Sequence, residues 1–344
     1  MSARTIEVAL VGSGYWGANL CRVLAQSPSI RLRWICDSDA GNLQRAARLA
    51  PMAQTTAEYD DVLGDGDVSA VVIATPVASH HALAMAAMRA GKHVLVEKPL
   101  ARTSAEGAEM CAFAEEHGLV LMVGHTFLYN SAVRWIKRAI DSGDLGDIRY
   151  AFCRRLNLGI VRHDVDVLWD LGSHDISILA HWFDRPVESV AAVGNSFLQP
   201  GIAEVAFAHL TYRGNIAGHV QVSWLDPAKV RQITVVGSRK MLVYDDMSAD
   251  ARIAVLDKGI DVGSIDESLG EFESFSQYQL IVRAGDVWLP RVDFPEPLGV
   301  EVEEFARCVA EGATPVSDGR FGLEVVRTLE RLSAAMAAST LQLA

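Results

Sequence analysis

The sequence predicts an α/β protein: an N-terminal doubly wound parallel sheet, followed by an α+β domain on a mostly antiparallel sheet. Three observations lead there. In the first 125 residues short, almost wholly apolar runs alternate with helix-period segments, the pattern of strands buried on both faces and joined by crossover helices. A glycine-rich turn follows the first of these runs directly. After about residue 145 the runs alternate apolar and polar residues and are separated by turn dipeptides, which marks antiparallel pairing.

Taken in order, Thr5 to Val11, Leu32 to Cys36, Val68 to Ala74, His93 to Val96 and Val120 to Val123 read as the parallel strands. Thr103 and Glu106 have capping-box spacing at a helix start, and Gly91 and Gly118 stand where helices stop. The second half opens with a strand, Ile148 to Leu158, and one helical pattern from about Val167 to Phe183. Alternating strands follow at Val190 to Gly194, Glu204 to Tyr212, Ile216 to Leu225, Gln232 to Val236 and Met241 to Tyr244, with turn signals at Gly214-Asn215 and Gly237-Ser238. Gly259 to Phe275 is acidic and aperiodic and reads as a loop; helices at Gly299 to Glu311 and Gly319 to Ala338 close the chain. The expected domains are 1–125 and 126–344, with closing helices able to pack back on the first.

Composition limits the function. The 344 residues are half apolar and 22% charged, enough for sizeable cores. A net charge of −12 argues against a nucleic-acid surface, and an anionic substrate would require a local cationic pocket. The opening MSARTIEVALVGSGYWG has too brief an apolar run for a signal peptide, and no stretch approaches the roughly 18–20 apolar residues of a membrane span. Cys21, Cys36, Cys111, Cys153 and Cys308 are scattered without zinc-ligand spacing. A cytoplasmic protein with free thiols and no metal is expected.

Gly12-Ser13-Gly14-Tyr15-Trp16-Gly17 links the first strand to the first helix. In that setting the glycines allow a tight turn and close backbone approach to a pyrophosphate, which the helix N-terminus attracts. Asp37 ends the second strand, where a carboxylate accepts hydrogen bonds from ribose hydroxyls and repels a 2′-phosphate. Ser38 follows with no arginine immediately after it, so NAD is favoured over NADP. The alternative is that Asp37 caps the helix beginning near Asp39. Thr75-Pro76 and Glu97-Lys98 close two further parallel strands, with His80 behind the first, so Gly12, Thr75 and Lys98 are expected to line one crevice.

In the second half Asp166, Asp170 and His174 recur every four residues, on a helix whose apolar stripe is Leu168, Leu171, Leu179 and Trp182. A carboxylate one turn before a histidine suits general acid–base work. Three ligands on one straight helix span about 12 Å, too far for one metal ion. Gly172 inside this helix suggests a close approach by ligand or backbone. Arg155 and Asn157 share one strand face; with Arg162, Tyr129 and Asn130 they are candidates for holding a polar or phosphorylated substrate, or else for holding the fold together.

With GSGYWG at the start, ATP at 74–76, EKP at 97–99 and WDLGSHDIS at 169–177, the chain resembles the Gfo/Idh/MocA oxidoreductases over essentially its whole length. The resemblance implies a Rossmann domain, then an α/β domain whose open sheet builds homodimers or homotetramers. It implies hydride transfer between a nicotinamide cofactor and a secondary alcohol of a sugar or cyclitol. In that scheme His174 exchanges the hydroxyl proton, Lys98 polarises the oxygen and positions the nicotinamide, and Asp170 anchors neighbouring hydroxyls. The texture is most like members acting on nucleotide-linked sugars. The rivals are a free-sugar or inositol dehydrogenase, a glycosidase that oxidises and eliminates, and a silent dinucleotide sensor, which would have no need of Lys98, Asp170 and His174 together.

Overall fold

In the computed structural model, which describes residues 5–260 and 282–342, the first apolar runs form a six-stranded parallel sheet. Its strands are β1 (Ile6–Val11), β2 (Ile30–Cys36), β3 (Gln54–Thr56), β4 (Ala70–Ile73), β5 (His93–Glu97) and β6 (Leu121–Gly124), in spatial order β3-β2-β1-β4-β5-β6. The order reverses between β1 and β4, the position at which doubly wound sheets open a ligand crevice at their carboxyl edge. Val8, Ala9 and Leu10 are fully buried, as are Val71, Val72 and Ile73, because helices α1 (Tyr15–Gln26), α2 (Ala40–Leu49), α3 (Tyr59–Gly64), α4 (His80–Arg89) and α5 (Ser104–Glu116) are interleaved with the strands. β3 has no counterpart in the sequence reading: three polar residues on an edge carry no hydrophobic period.

One compact unit runs to Asn130 and takes in Phe294–Glu330. The returning segment pairs with the edge of the sheet: Val123 N donates to Ser317 O at 2.8 Å, and Met122 bridges Asp318. It supplies helix α8 (Pro297–Glu311) and the first part of α9 (Gly319–Gln342). Gly91 and Gly118 end helices with φ of +74° and +63°. Thr103 caps α5 by accepting from Glu106 N at 3.2 Å, but the Glu106 carboxylate returns to Arg102 N, one residue short of a reciprocal box.

The second unit comprises Ser131–Asp293 and the chain from Arg331 onward. After α6 (Ser131–Asp141) it holds eight strands among the described residues: β7 (Ile148–Leu158), β8 (Val187–Asn195), β9 (Val205–Tyr212), β10 (Ile216–Ser223), β11 (Leu225–Gly237), β12 (Met241–Asp245), β13 (Ile253–Ile260) and β14 (Val282–Trp288). Their order is β14-β13-β12-β11-β7-β10-β9-β8, antiparallel except for β7 and β10. Gly214 and Asn215 take positive φ in the β9–β10 turn. The loop expected at Gly259 to Phe275 begins inside β13 and otherwise lies outside the described residues.

Helix α7 (Ser173–Phe183) packs on this sheet, where a Cβ on Gly218 would stand 3.0 Å from Leu179 Cδ1. On β7 the alternation is plain: Ala151 and Cys153 are buried, while Tyr150 and Phe152 are exposed on the opposite face. The expected single helix from Val167 is instead a π-helical turn, Leu168–Gly172, running into α7. The wider turn shifts the four-residue spacing, so the face drawn through Asp166, Asp170 and His174 is not that of a straight helix. Gly172 is explained by packing, since a Cβ there would lie 2.8 Å from Leu168 Cδ1 and 3.9 Å from Val222 Cγ1. All five cysteines are free and buried.

Candidate active site

At the carboxyl edge of the parallel sheet Gly12 takes φ +89°, and a Cβ there would stand 2.8 Å from the Ala74 carbonyl carbon and oxygen. A Cβ on Gly17 would lie 2.1 Å from Gly12 O, while Gly14 faces open space. The glycine loop is thus pressed on Ala74, just after β4, at Gly12, folded onto its own backbone at Gly17, and open at Gly14. Helix α1 starts at Tyr15 with no side-chain cap. Its first-turn N–H groups and positive end suit a pyrophosphate, so the residues present fit a dinucleotide.

Asp37 is bound into this loop. It accepts from Ser13 N at 2.6 Å, Ser13 Oγ at 3.0 Å, Asp39 N at 2.9 Å and Asn42 Nδ2 at 3.2 Å. Burial raises its pKa, but these hydrogen bonds, led by those from Asp39 N and Ser13 N, outweigh burial and hold the carboxyl below its usual value. The cap of α2 is Asp39, which accepts from Asn42 N at 2.7 Å, so Asp37 does not serve as that cap. Ser38 is exposed beside it.

Thr75 and Pro76 follow β4, and Thr75 Oγ1 accepts from Ser79 Oγ at 2.7 Å. His80 corrects an expectation. It is buried, with its ring nitrogens 2.9 Å from Pro99 O and 2.9 Å from Thr75 O, so it ties two strand ends together instead of facing a ligand. Glu97 ends β5 and accepts from Trp16 Nε1 at 2.5 Å and from Lys98 N at 3.2 Å. The aromatic residue of the glycine loop is thereby fastened to the strand end that carries Lys98.

In the second unit Asp166 caps the π-helical turn, accepting from Leu168 N and Trp169 N at 3.0 Å each. Asp170 accepts from Trp224 Nε1 at 3.1 Å and lies 3.5 Å from Arg162 NH1; Arg162 also forks onto Asp164 at 2.9 and 2.7 Å. His174 stands four residues after Asp170, in the first turn of α7. Asn157 is half-buried, and its Oδ1 has no hydrogen-bond partner among the described residues.

Three of the residues that stood between holding a substrate and holding the fold together are buried. Arg155 is buried and forks onto Asp175 of α7, Nε at 3.0 Å and NH2 at 2.8 Å, so its charge joins sheet to helix. Tyr129 is buried in the first unit, its hydroxyl 3.0 Å from Ser317 Oγ, and Asn130 is buried next to it in sequence. Trp224 was missed, since a tryptophan at a strand end carries no local sign that its indole will meet Asp170, 54 residues away. Glu301 was missed too, although a signal exists: it sits on the α8 stripe of Leu298, Val302 and Phe305. Among the described residues no cluster of metal-ligating side chains forms, and no helix is long and apolar enough to cross a membrane.

Comparison with known proteins agrees with this architecture. Residues 6–125 match the model of the oxidoreductase family with an NAD-binding Rossmann fold, and residues 133–243 match the GFO/IDH/MocA C-terminal domain. The 4-carboxy-2-hydroxymuconate-6-semialdehyde dehydrogenase of Sphingobium sp. is 31% identical over 58% of this chain and 65% of its own length. The chain thus spans less than two thirds of that relative. The scyllo-inositol 2-dehydrogenase (NAD(+)) of Bacillus subtilis is 24% identical over 93% of this chain and 92% of its own. The structure of UDP-N-acetylglucosamine 3-dehydrogenase from Acidithiobacillus ferrooxidans superposes with a TM-score of 0.81 at 24% identity, covering 97% of this chain and 98% of that one, which shows the shared fold.

Proposed function

The chain belongs to the GFO/IDH/MocA oxidoreductase family, and from that premise we propose that it is an NAD-dependent dehydrogenase or ketoreductase acting on a secondary alcohol of a sugar or cyclitol. The observation that carries the reading is the gathering of the glycine loop, Asp37, Thr75-Pro76 and Glu97-Lys98 at one sheet edge, with Trp16 hydrogen-bonded to Glu97. Gly12, Ser13, Gly14, Tyr15, Trp16 and Gly17 would hold the pyrophosphate end, and Asp37 and Ser38 the adenosine ribose. The cofactor, when bound, supplies the nicotinamide that accepts hydride from the alcohol carbon. Lys98 polarises the substrate oxygen, His174 takes the hydroxyl proton, and Asp170, held by Trp224 and Arg162, anchors a neighbouring hydroxyl.

An uncharged sugar or cyclitol is favoured over a nucleotide-linked sugar. A diphosphate needs cations, and Arg155 is committed to Asp175 while Arg162 is engaged by Asp164 and Asp170. The test is a screen of free sugars, cyclitols and UDP- or dTDP-sugars for NADH formation, then of keto-sugars for NADH oxidation. Turnover of nucleotide-linked sugars alone would reverse the preference. Consumption of a glycoside without net NADH would indicate the oxidation–elimination route.

Cofactor choice gives a sharper prediction. NADH is expected to bind more tightly than NADPH, because Asp37 is held ionised where a 2′-phosphate would sit. Asp37→Ala should narrow that gap, measured by fluorescence titration with both cofactors. Tighter NADPH binding by the unaltered protein would contradict the role.

We further propose that a second copy of this chain covers the exposed sheet face bearing Tyr150, Phe152 and Phe207, where the His219 ring lies 6.4 Å from those of Tyr150 and Phe152. Light scattering should return at least a dimer, and Phe207→Asp should shift it toward monomer. Five free, buried thiols fit a reducing compartment, and we place the protein in the cytoplasm.

A further inference from the structure

We infer that Glu301 of α8 is a neutral carboxylic acid in the folded protein and acts as a positioning residue for Glu97, and through Glu97 for Trp16 and the strand end carrying Lys98. The inference starts from burial. Glu301 is fully buried on the stripe of Leu298, Val302 and Phe305, the one charged residue type among apolar neighbours. Its Oε2 accepts from Thr126 Oγ1 at 2.8 Å, while Oε1 is buried with no hydrogen-bond partner among the described residues. A carboxylate offers about four acceptor sites, and an ion with a single donor in a dry site is not sustained; the neutral acid is far less demanding.

The groups facing Glu301 sharpen this. From the end of β5 comes Glu97, whose charge acts on Glu301. Glu97 is half-buried, and its carboxyl lies over Gly124 so closely that a Cβ there would meet Cδ at 2.9 Å and both oxygens at 3.0 Å. From the segment after β6 come His125, Thr126 and Tyr129. The His125 ring is buried, neither nitrogen has a hydrogen-bond partner among the described residues, and burial, then the Lys98 charge, push its pKa down to about 3. It is therefore neutral and offers Glu301 no cation. The Tyr129 hydroxyl is engaged with Ser317 and its pKa is raised by burial and by Glu301, so it too is neutral.

Two neighbouring carboxyls in so dry a place do not both ionise, and the proton stays on the one with fewer donors and less water. Burial raises the Glu97 pKa to about 7, while the Trp16 indole, the Lys98 charge and the Lys98 amide pull it back down. Glu301 has one hydroxyl, and burial, then the Glu97 charge, raise its pKa well above the usual carboxylate value. With the proton on Glu301, Glu97 is the first of the two to ionise as pH rises past about 7, and it then stays against Gly124 and holds the indole. An ionised Glu301 would repel Glu97 from that position and loosen the glycine loop.

The sign of the pH effect follows from linkage. A carboxyl whose folded pKa lies above its unfolded value keeps a proton in the folded state that the unfolded state has lost. Stability therefore falls as pH rises from the unfolded value, about 4.3, toward the raised folded one. Glu301→Gln keeps the shape and neutrality of the acid and removes the Glu301 share of that slope, leaving the share of Glu97, whose pKa is raised to about 7. The variant should gain thermal stability relative to the unaltered protein as pH rises from 5 to 8, and should lose an infrared band of a protonated carboxylic acid. NADH should bind it within about threefold of the unaltered affinity at pH 7, the scale of one altered hydrogen bond. The decline of NADH affinity at alkaline pH, expected as Glu301 ionises, should be absent from it.

Loss of a carboxylate band instead of an acid band, or a lower melting temperature at every pH, would overturn the inference. The infrared and stability arms need no ligand, so their failure is distinct from failure of the dinucleotide reading, on which only the NADH arm rests. Should Glu301→Gln not fold, Glu97→Gln provides the second measurement. Removing the neighbouring charge must lower the pH at which the acid band of Glu301 disappears, and an unmoved limit is equally fatal.

Discussion

Lys98→Ala is expected to lower turnover by about 10²–10³-fold, the range for removing one electrostatic or proton-transfer group, while leaving NADH affinity nearly unchanged. The ammonium is assigned to the substrate oxygen, and the dinucleotide to the glycine loop, α1 and Asp37, which accepts from Ser13 N and Ser13 Oγ. The loop's link to this strand end runs through Glu97, which accepts from Trp16 Nε1 at 2.5 Å and from the Lys98 backbone N–H at 3.2 Å, and truncation keeps both donors. Turnover is followed by NADH absorbance with the best substrate of the screen, and affinity by NADH fluorescence. Undiminished turnover would remove Lys98 from the mechanism. A large loss of NADH affinity with unchanged turnover at saturation would make it a cofactor-binding group alone.

The second large effect concerns stability. Arg155→Ala leaves the Asp175 carboxylate buried without its forked partner, and breaking a buried pair in this way costs about 3–5 kcal/mol. For a domain of this size that lowers the melting temperature by roughly 6–20 °C. The same pair replaced as Arg155→Met with Asp175→Leu should recover most of the loss, since the charges' desolvation cost vanishes with them. If Arg155 instead held substrate, as its strand position first suggested, Arg155→Ala would raise KM and leave the melting temperature almost unmoved. Calorimetry of the two variants beside their steady-state kinetics separates the two roles.

Much of the architecture was legible because it is written in local periods. Almost wholly apolar runs separated by helical segments announce a parallel sheet, and Gly12 to Gly17 directly after β1 announces the phosphate turn. β3, β13 and β14 were not legible. The first is too short for any period, and the other two flank the stretch that reads as loop. The π-helical turn at Leu168–Gly172 was also invisible, since helical period alone does not report one residue of overwinding or underwinding.

By itself, the sequence determined the two kinds of sheet, the glycine loop, the acidic end of β2 and the placement of Lys98 after β5, all of them consequences of neighbouring residues acting within a few positions. Only the tertiary structure decided how the polar side chains are used. Arg155 meets Asp175 across a strand and a helix, Asp170 meets Trp224 54 residues on, and Tyr129 meets Ser317 188 residues on. A side chain's charge and hydrogen-bonding capacity can be read from its identity, but whether they are spent on a ligand or on the protein depends on which distant groups folding brings within 3 Å. That is why Arg155, Tyr129 and His80, each open in the sequence to a ligand or to a structural role, are seen as internal ties only in the fold, and why Glu301 emerged only with its neighbours.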